Sequence, residues 1–301
     1  MFIVSTPKLV VAQCQAGIVG SFPALNARPA SQLDDWLAQI SEELAACQRS
    51  NPQRKVAPYA VNQIVHSSNA RLDEDVALCV KHKVPIIITS LRPPADVVAA
   101  VHGYGGMVFH DVINLRHAEK AAAQGVDGII AVCAGAGGHA GLLSPFALVK
   151  QIRAVFPGTI ILSGAMSSGA DVLAAQAMGA DLAYLGTRFI ATDEANAPPE
   201  YQQMLIDSAA EDIVYTSLFS GVSGNYLRGS VARAGLDPDH LPEADKAKMN
   251  FGTGGNTAAK AWRDIWSAGQ SVSGIHEVMS VQALVACMEV EYAAARASFN
   301  F

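Results

Sequence analysis

The sequence is poor in charge: Asp, Glu, Lys and Arg make up only 16% of its 301 residues, while 50% are hydrophobic. Disordered chains need the reverse balance, so disorder is excluded. Basic residues are outnumbered, 21 Lys and Arg against 27 Asp and Glu, for a net charge of −6. A nucleic-acid groove wants a basic face, and none is expected. No run reaches the roughly 18 apolar residues of a membrane helix, so no membrane contact is expected. The opening residues, Met1 to Pro7, are too few for a signal core and carry no leading positive charge. The five cysteines (Cys14, Cys47, Cys79, Cys133, Cys287) are scattered and form no C-x-x-C. They read as reduced core residues of a cytoplasmic protein. No cluster has metal-ligand spacing, so no metal is expected. No G-x-S-x-G elbow is present, and no G-x-G-x-x-G opens a first βαβ unit.

What is present is one repeated unit. Seven short apolar strands are read at 18–20, 56–62, 84–90, 107–110, 128–133, 159–163 and 182–186. Amphipathic helices alternate with them, at 72–82, 94–102, 114–124, 145–156 and 168–178. A further helix carries Leu33, Leu37 and Ile40 at helical spacing behind Ser31 as its cap. Gly125-Val126-Asp127 and Gly179-Ala180-Asp181 mark two equivalent junctions, with Gly ending a helix and Asp turning into a strand. Strand starts fall roughly 20–40 residues apart, the pace of βαβ units.

This pattern predicts an α/β fold, a (β/α)8 TIM barrel lacking most of strand 1. Ser5-Thr6-Pro7 opens a helix over 9–14, which leaves only Met1 to Val4 before it. After about Thr192 the alternation stops. The reading divides the chain into a barrel core at 1–192 and a lid with C-terminal helices at 193–301. Residues 217–229 and 237–255 read as polar loops, and 258–301 as mostly helical around a break at 267–274. The apolar helix around 281–290 is either an interface between copies, making a homo-oligomer, or core.

In such a barrel the chemistry sits in the loops after the strands. Ser163-Gly164-Ala165-Met166 and Gly186-Thr187-Arg188 follow the last two strands, where a phosphate commonly binds, and Ser163 and Thr187 can add hydroxyls. Ala134 to Gly141 holds four glycines around His139, and so much backbone freedom implies that something approaches the chain there. His139 is the candidate base. Asn62 ends another strand, where an amide can read a heterocycle by donor and acceptor together. His110 is open between a site residue and a partner of Asp111. The other six histidines read as ordinary helix or loop residues.

Four pieces together resemble the nitronate monooxygenase family, FMN-dependent TIM-barrel oxidoreductases. They are Gly137-Gly138-His139-Ala140-Gly141, Ser163-Gly164-Ala165-Met166, Met178-Gly179-Ala180-Asp181 through Leu185-Gly186-Thr187-Arg188-Phe189, and Trp266-Ser267-Ala268-Gly269-Gln270. The resemblance implies a flavoprotein monooxygenase that oxidises alkyl nitronates with O2 to a carbonyl compound and nitrite. It places His139 as catalytic base, and Met1, Asn62, Gly138, Ser163, Gly164, Ala165, Gly186, Thr187 and Gln270 around FMN. It makes Met1 an internal Met of the family's flavin loop, with the first strand upstream of the sequence. The scaffold is also similar to NAD(P)H-dependent flavin reductases acting on quinones or enoyl thioesters. Two positions depart from the family pattern. Asp111 stands where relatives often carry Lys or Gln, with Arg188 a candidate to compensate its charge. Ala165 replaces a phosphate-loop Gly, tolerable if its φ is negative.

Overall fold

The computed structural model describes residues 1–92, 94–242 and 265–298. Seven parallel strands form one curled sheet: β1 (Gly20–Pro23), β2 (Tyr59–Val65), β3 (Ile86–Leu91), β4 (Met107–Val112), β5 (Gly128–Val132), β7 (Thr159–Ser163) and β8 (Leu182–Tyr184), in that spatial order. Helices α1 (Pro7–Gln15), α2 (Gln32–Ser50), α3 (Leu72–Lys81), α4 (Ala95–His102), α5 (Leu115–Ala123), α6 (Pro145–Val155), α7 (Gly169–Ala177) and α8 (Thr187–Ile190) alternate with the strands. A second sheet joins β6 (Gly138–His139) to β10 (Gly224–Leu227) and β9 (Ile213–Thr216), all antiparallel. Helices α9 (Pro199–Ile206), α10 (Arg228–Arg233) and α11 (Val281–Ser298) complete the described chain. The barrel-class α/β architecture matches the sequence reading. None of the described helices is long and apolar enough to cross a membrane.

The central strands β2, β3, β5 and β7 are largely buried on both faces, as their apolar runs require. Side chains alternate between the faces. Val61, Ile87, Val108, Val112, Ile129, Ala131, Ile160 and Leu162 face the helices in the main core. Ala60, Ile86, Ile88, Phe109, Ile130 and Ile161 fill the inside of the curl. Asp127 and Asp181 do more than turn the chain. Asp127 Oδ2 accepts from Val108 N at 2.7 Å, and Asp181 Oδ2 from Ile160 N at 2.8 Å, so each caps the preceding strand. The glycines beside them, Gly125 at φ +78° and Gly179 at φ +102°, supply the left-handed helix ends.

Several expectations need correction. The lid segment 217–229 is not simply loop: it contains β10, which pairs with the His139 loop. Ser31 stands before α2 but already has helical angles, and its side chain makes no cap bond. Cys47 is half-buried and Cys287 exposed, so only Cys14, Cys79 and Cys133 are core. Strand limits shift by a few residues: β1 begins at Gly20 and β2 runs on to Val65. The helix expected around 281–290 packs on α7 through a tight contact at Gly169, where an added Cβ would meet Met288 O at 1.9 Å. Val281, Leu284 and Val285 are buried in the core, while Val290 on the outer side is exposed. Residues 243–264 and 299–301, part of the expected loop and helices, lie outside the described residues.

β1 and β8 are the two sheet edges, and Ser21 Oγ on β1 meets Tyr184 OH on β8 at 3.0 Å. Met1 to Val4 form a turn, not a strand. Asn26 pins that turn with three bonds: it accepts from Ile3 N at 2.9 Å and donates to Met1 O at 3.0 Å and Ser5 O at 2.8 Å.

Candidate active site

The carboxyl ends of the strands carry the polar side chains. Below them the curl is lined by isoleucines; at the top, in register with those inward positions, come Asn62, Ser90, Asp111, Ser163 and Tyr184. Three of them form a chain. Asn62 Nδ2 donates to Ser90 Oγ at 2.8 Å and to Ile88 O at 3.3 Å, and Ser90 Oγ donates to Asp111 Oδ2 at 2.6 Å. Both Asn62 amide hydrogens are therefore spent inside the sheet, so the amide offers the mouth its carbonyl rather than a donor–acceptor pair. Burial pushes the Asp111 carboxyl up to about 6, against the Ser90 hydrogen bond and the Met1 amine, which favour the anion. Its Oδ1 is buried with no hydrogen-bond partner.

His110 lies on the other face of β4. Its Nδ1 sits 2.8 Å from Thr89 Oγ1, the ring is buried, and burial lowers its pKa to about 4. It is a core residue, not a site residue. Of the six histidines read as ordinary, His82, His102 and His240 each pair with an aspartate.

The glycine loop after β5 is crowded by the chain itself. Gln270 N donates to Gly135 O at 2.9 Å, and Gly269 N donates to Thr187 Oγ1 at 2.9 Å. A Cβ at Gly135 would lie 2.7 Å from Gln270 Oε1, and one at Gly137 would lie 2.8 Å from Thr187 Oγ1. Part of the glycine content thus serves close packing of the 268–270 segment, so the chain itself is one of the things that approaches this loop. The β9–β10 hairpin holds the other end of the loop. Gly224 faces His139 and Asn225 faces Gly138 in the β6–β10 ladder, Asn225 Nδ2 donates to Ala136 O at 2.7 Å, and Tyr215 OH donates to Ala140 O at 2.9 Å.

His139 is half-buried at this clasp, and burial pushes its pKa down to about 4, so the imidazole is neutral at pH 7. Its Nε2 lies 2.8 Å from Ser220 Oγ. Ser220 Oγ in turn donates to Val222 O at 3.0 Å. A hydroxyl has one proton; if it goes to Val222, Nε2 is the donor toward Ser220.

Ser163, Gly164, Ala165, Gly186 and Thr187 line the mouth beside the glycine loop. Among the described residues, the main-chain amides of Gly164, Ala165, Gly186 and Thr187 donate to no acceptor. Met1 packs on this wall, its Cγ 3.6 Å from where a Gly186 Cβ would be. Unclaimed amides from two adjacent loops, with two hydroxyls, fit an anionic phosphate. A flavin phosphate would fit this donor set, and the Asn62 carbonyl and Asp111 are polar groups at the same end of the sheet. The condition set on Ala165 is not met: its φ is +53°, a left-handed angle that an L residue adopts at a cost. Arg188 does not compensate Asp111. It is buried on α8, and the charged groups acting on it are Glu277, Glu291 and Cys287 on the tail side.

Sequence reasoning missed Ser90 and Tyr184, though their alternation with Ile86, Ile88 and Ala183 was available. Ser220 carried no signal, because only the folded lid brings it to His139.

The fold is that of a TIM-barrel-like enzyme with its polar side chains gathered at the carboxyl ends of the strands. The chain belongs to the nitronate monooxygenase family, whose model matches residues 3–289. This is a family of flavin-dependent enzymes. A nitronate monooxygenase of Paraburkholderia phytofirmans is 28% identical over 317 aligned positions, covering 86% of this chain and 84% of that protein. Two solved structures share the fold. A nitroalkane oxidase from Streptomyces ansochromogenes superposes with a TM-score of 0.79 at 20% identity, covering 98% of this chain and 94% of the other. FabK from Thermotoga maritima gives 0.76 at 22% identity, covering 99% and 92%.

Proposed function

We propose that the protein binds FMN across the barrel mouth and oxidises alkyl nitronates with O2 to carbonyl compounds and nitrite. The observation that carries this reading is a neutral His139 held by the lid beside a wall of unclaimed amides. FMN, when bound, supplies the electron acceptor for the organic substrate. The chain supplies the rest. The amides of Gly164, Ala165, Gly186 and Thr187, with the Ser163 and Thr187 hydroxyls, hold the phosphate. Met1, Gly138 and Gln270 border the same space. His139 takes the α-proton of a neutral nitroalkane: the C–H bond breaks, the proton goes to the imidazole, and the electron pair stays on the substrate as nitronate. Ser220 keeps the ring in one tautomer for that transfer.

The test is oxygen uptake and nitrite release by FMN-loaded protein supplied with propyl nitronate. The reading expects both, and expects His139→Ala to lose activity on neutral nitroalkane far more than on preformed nitronate. Absence of both products, with rapid anaerobic bleaching of the flavin by NADH or NADPH, would replace it with a reductase acting on quinone or enoyl thioester. Equal losses on the two substrates would remove His139 from the base role.

A further inference from the structure

Asp111 is an inward group at the mouth with one carboxyl oxygen satisfied and the other, among the described residues, without a partner. Ser90 donates to Oδ2 and is itself held by Asn62, so the orientation of the carboxyl is set from two neighbouring strands. Oδ1 is buried and has no partner among the described residues. A buried carboxylate oxygen without a donor is costly. A neutral carboxyl removes that cost only if its hydroxyl finds an acceptor. Because Oδ2 already accepts from Ser90, the proton of the neutral acid belongs on Oδ1.

We propose that Asp111, in its neutral form, donates a hydrogen bond from Oδ1 to an acceptor atom of the flavin ring and so makes cofactor affinity depend on its protonation. This rests on the reading of the mouth as an FMN site. The resting preference supports it, since burial already holds the carboxyl well above the usual range. The titratable groups that act on it or feel it are the Met1 amine, which favours the anion, and Tyr184 on β8, whose phenol Asp111 and burial both push up. Tyr184 is held up to about 12 and stays neutral across the working range. His139, at about 4, also keeps one state above pH 5. Asn at this position has the same shape: its carbonyl can accept from Ser90 and its NH2 can donate where Oδ1–H did, at every pH.

The experiment measures FMN affinity by fluorescence quenching between pH 5 and 8, for the wild type and Asp111→Asn. The FMN phosphate titrates in this range too, near pH 6, but equally for both proteins. The ratio of Kd values, wild type over variant, therefore cancels the phosphate and reports Asp111 together with the Met1 amine coupled to it, which burial lowers to about 6. The proposal expects a ratio near 1 at pH 5, rising about tenfold by pH 8 as the donor becomes an anion. It also expects the bound flavin's reduction potential to be lower in the wild type than in the variant at pH 8, with the two converging at pH 5. This second readout holds even if the variant folds less well. A ratio flat with pH while both proteins bind FMN overturns the proposal and leaves the FMN reading intact. No saturable FMN binding by either protein overturns both.

Discussion

Ala165 offers a stability test whose sign is unusual. Replacing an exposed alanine by glycine normally destabilises a protein, because the unfolded glycine chain is freer, by about 0.5–1 kcal/mol. At Ala165 the native φ is +53°, where an L residue is held at a cost of about 1–2 kcal/mol that glycine escapes. The side chain is exposed, so its removal forfeits little burial. The difference favours glycine by about 0.5–1 kcal/mol. Ala165→Gly should therefore raise the urea midpoint at unchanged slope. The neighbour supplies a control of opposite sign. Gly164 has φ +146°, and a Cβ there would lie 3.0 Å from Ala134 O, so Gly164→Ala should destabilise by about 1–3 kcal/mol. A loss of stability in Ala165→Gly comparable to an ordinary surface change would refute the reasoning. It would mean that the loop after β7 does not hold this residue in the left-handed region.

Two further outcomes follow from the histidines. Ser220→Ala removes a neutral hydrogen bond of about 0.5–1.5 kcal/mol, so kcat/KM on neutral nitroalkane should fall about 2–12-fold, while Ser220→Thr restores it and turnover of preformed nitronate barely changes. An equal effect on both substrates would make Ser220 merely structural. His110 is buried neutral with a folded pKa of about 4, below the ordinary 6.5, so the unfolded state binds the extra proton between those values. Stability should then be complete above pH 6.5 and be lost as pH falls toward 4, by up to about 3 kcal/mol from this residue. Denaturation midpoints of His110→Gln measured across that range should show a shallower acid limb. A slope identical to the wild type counts against the burial account.

The architecture was legible because each strand is an apolar run bounded by helix ends and turns. The strand limits were not, since pairing with neighbours decides them: β2 continues to Val65 because it has β3 beside it up to Leu91. His110 and Asp111 show what alternation can settle. With Phe109 inside the curl, Asp111 must share its side and His110 must face the helices. The sequence reading noticed both residues without using that rule. The strands of the second sheet were illegible, because Gly224-Asn225-Tyr226-Leu227 is short and polar at its start, and its partners, β9 and the two-residue β6, are themselves brief. The glycine loop reads as a place where something approaches the backbone, and the chain's own 268–270 segment does so, which no local pattern could name.

The paired aspartates of the αβ turns have a consequence for how the molecule holds together. Asp127 grips the start of β4 and also His102, at the end of the helix leading into β4; Asp181 grips the start of β7 and Arg153, near the end of the helix leading into β7. Each clasp thus reaches backward and fastens one unit to the unit before it. Such a chain behaves as a series of nearest-neighbour couplings, so that loosening one junction weakens the preceding strand and helix as well as the strand it introduces.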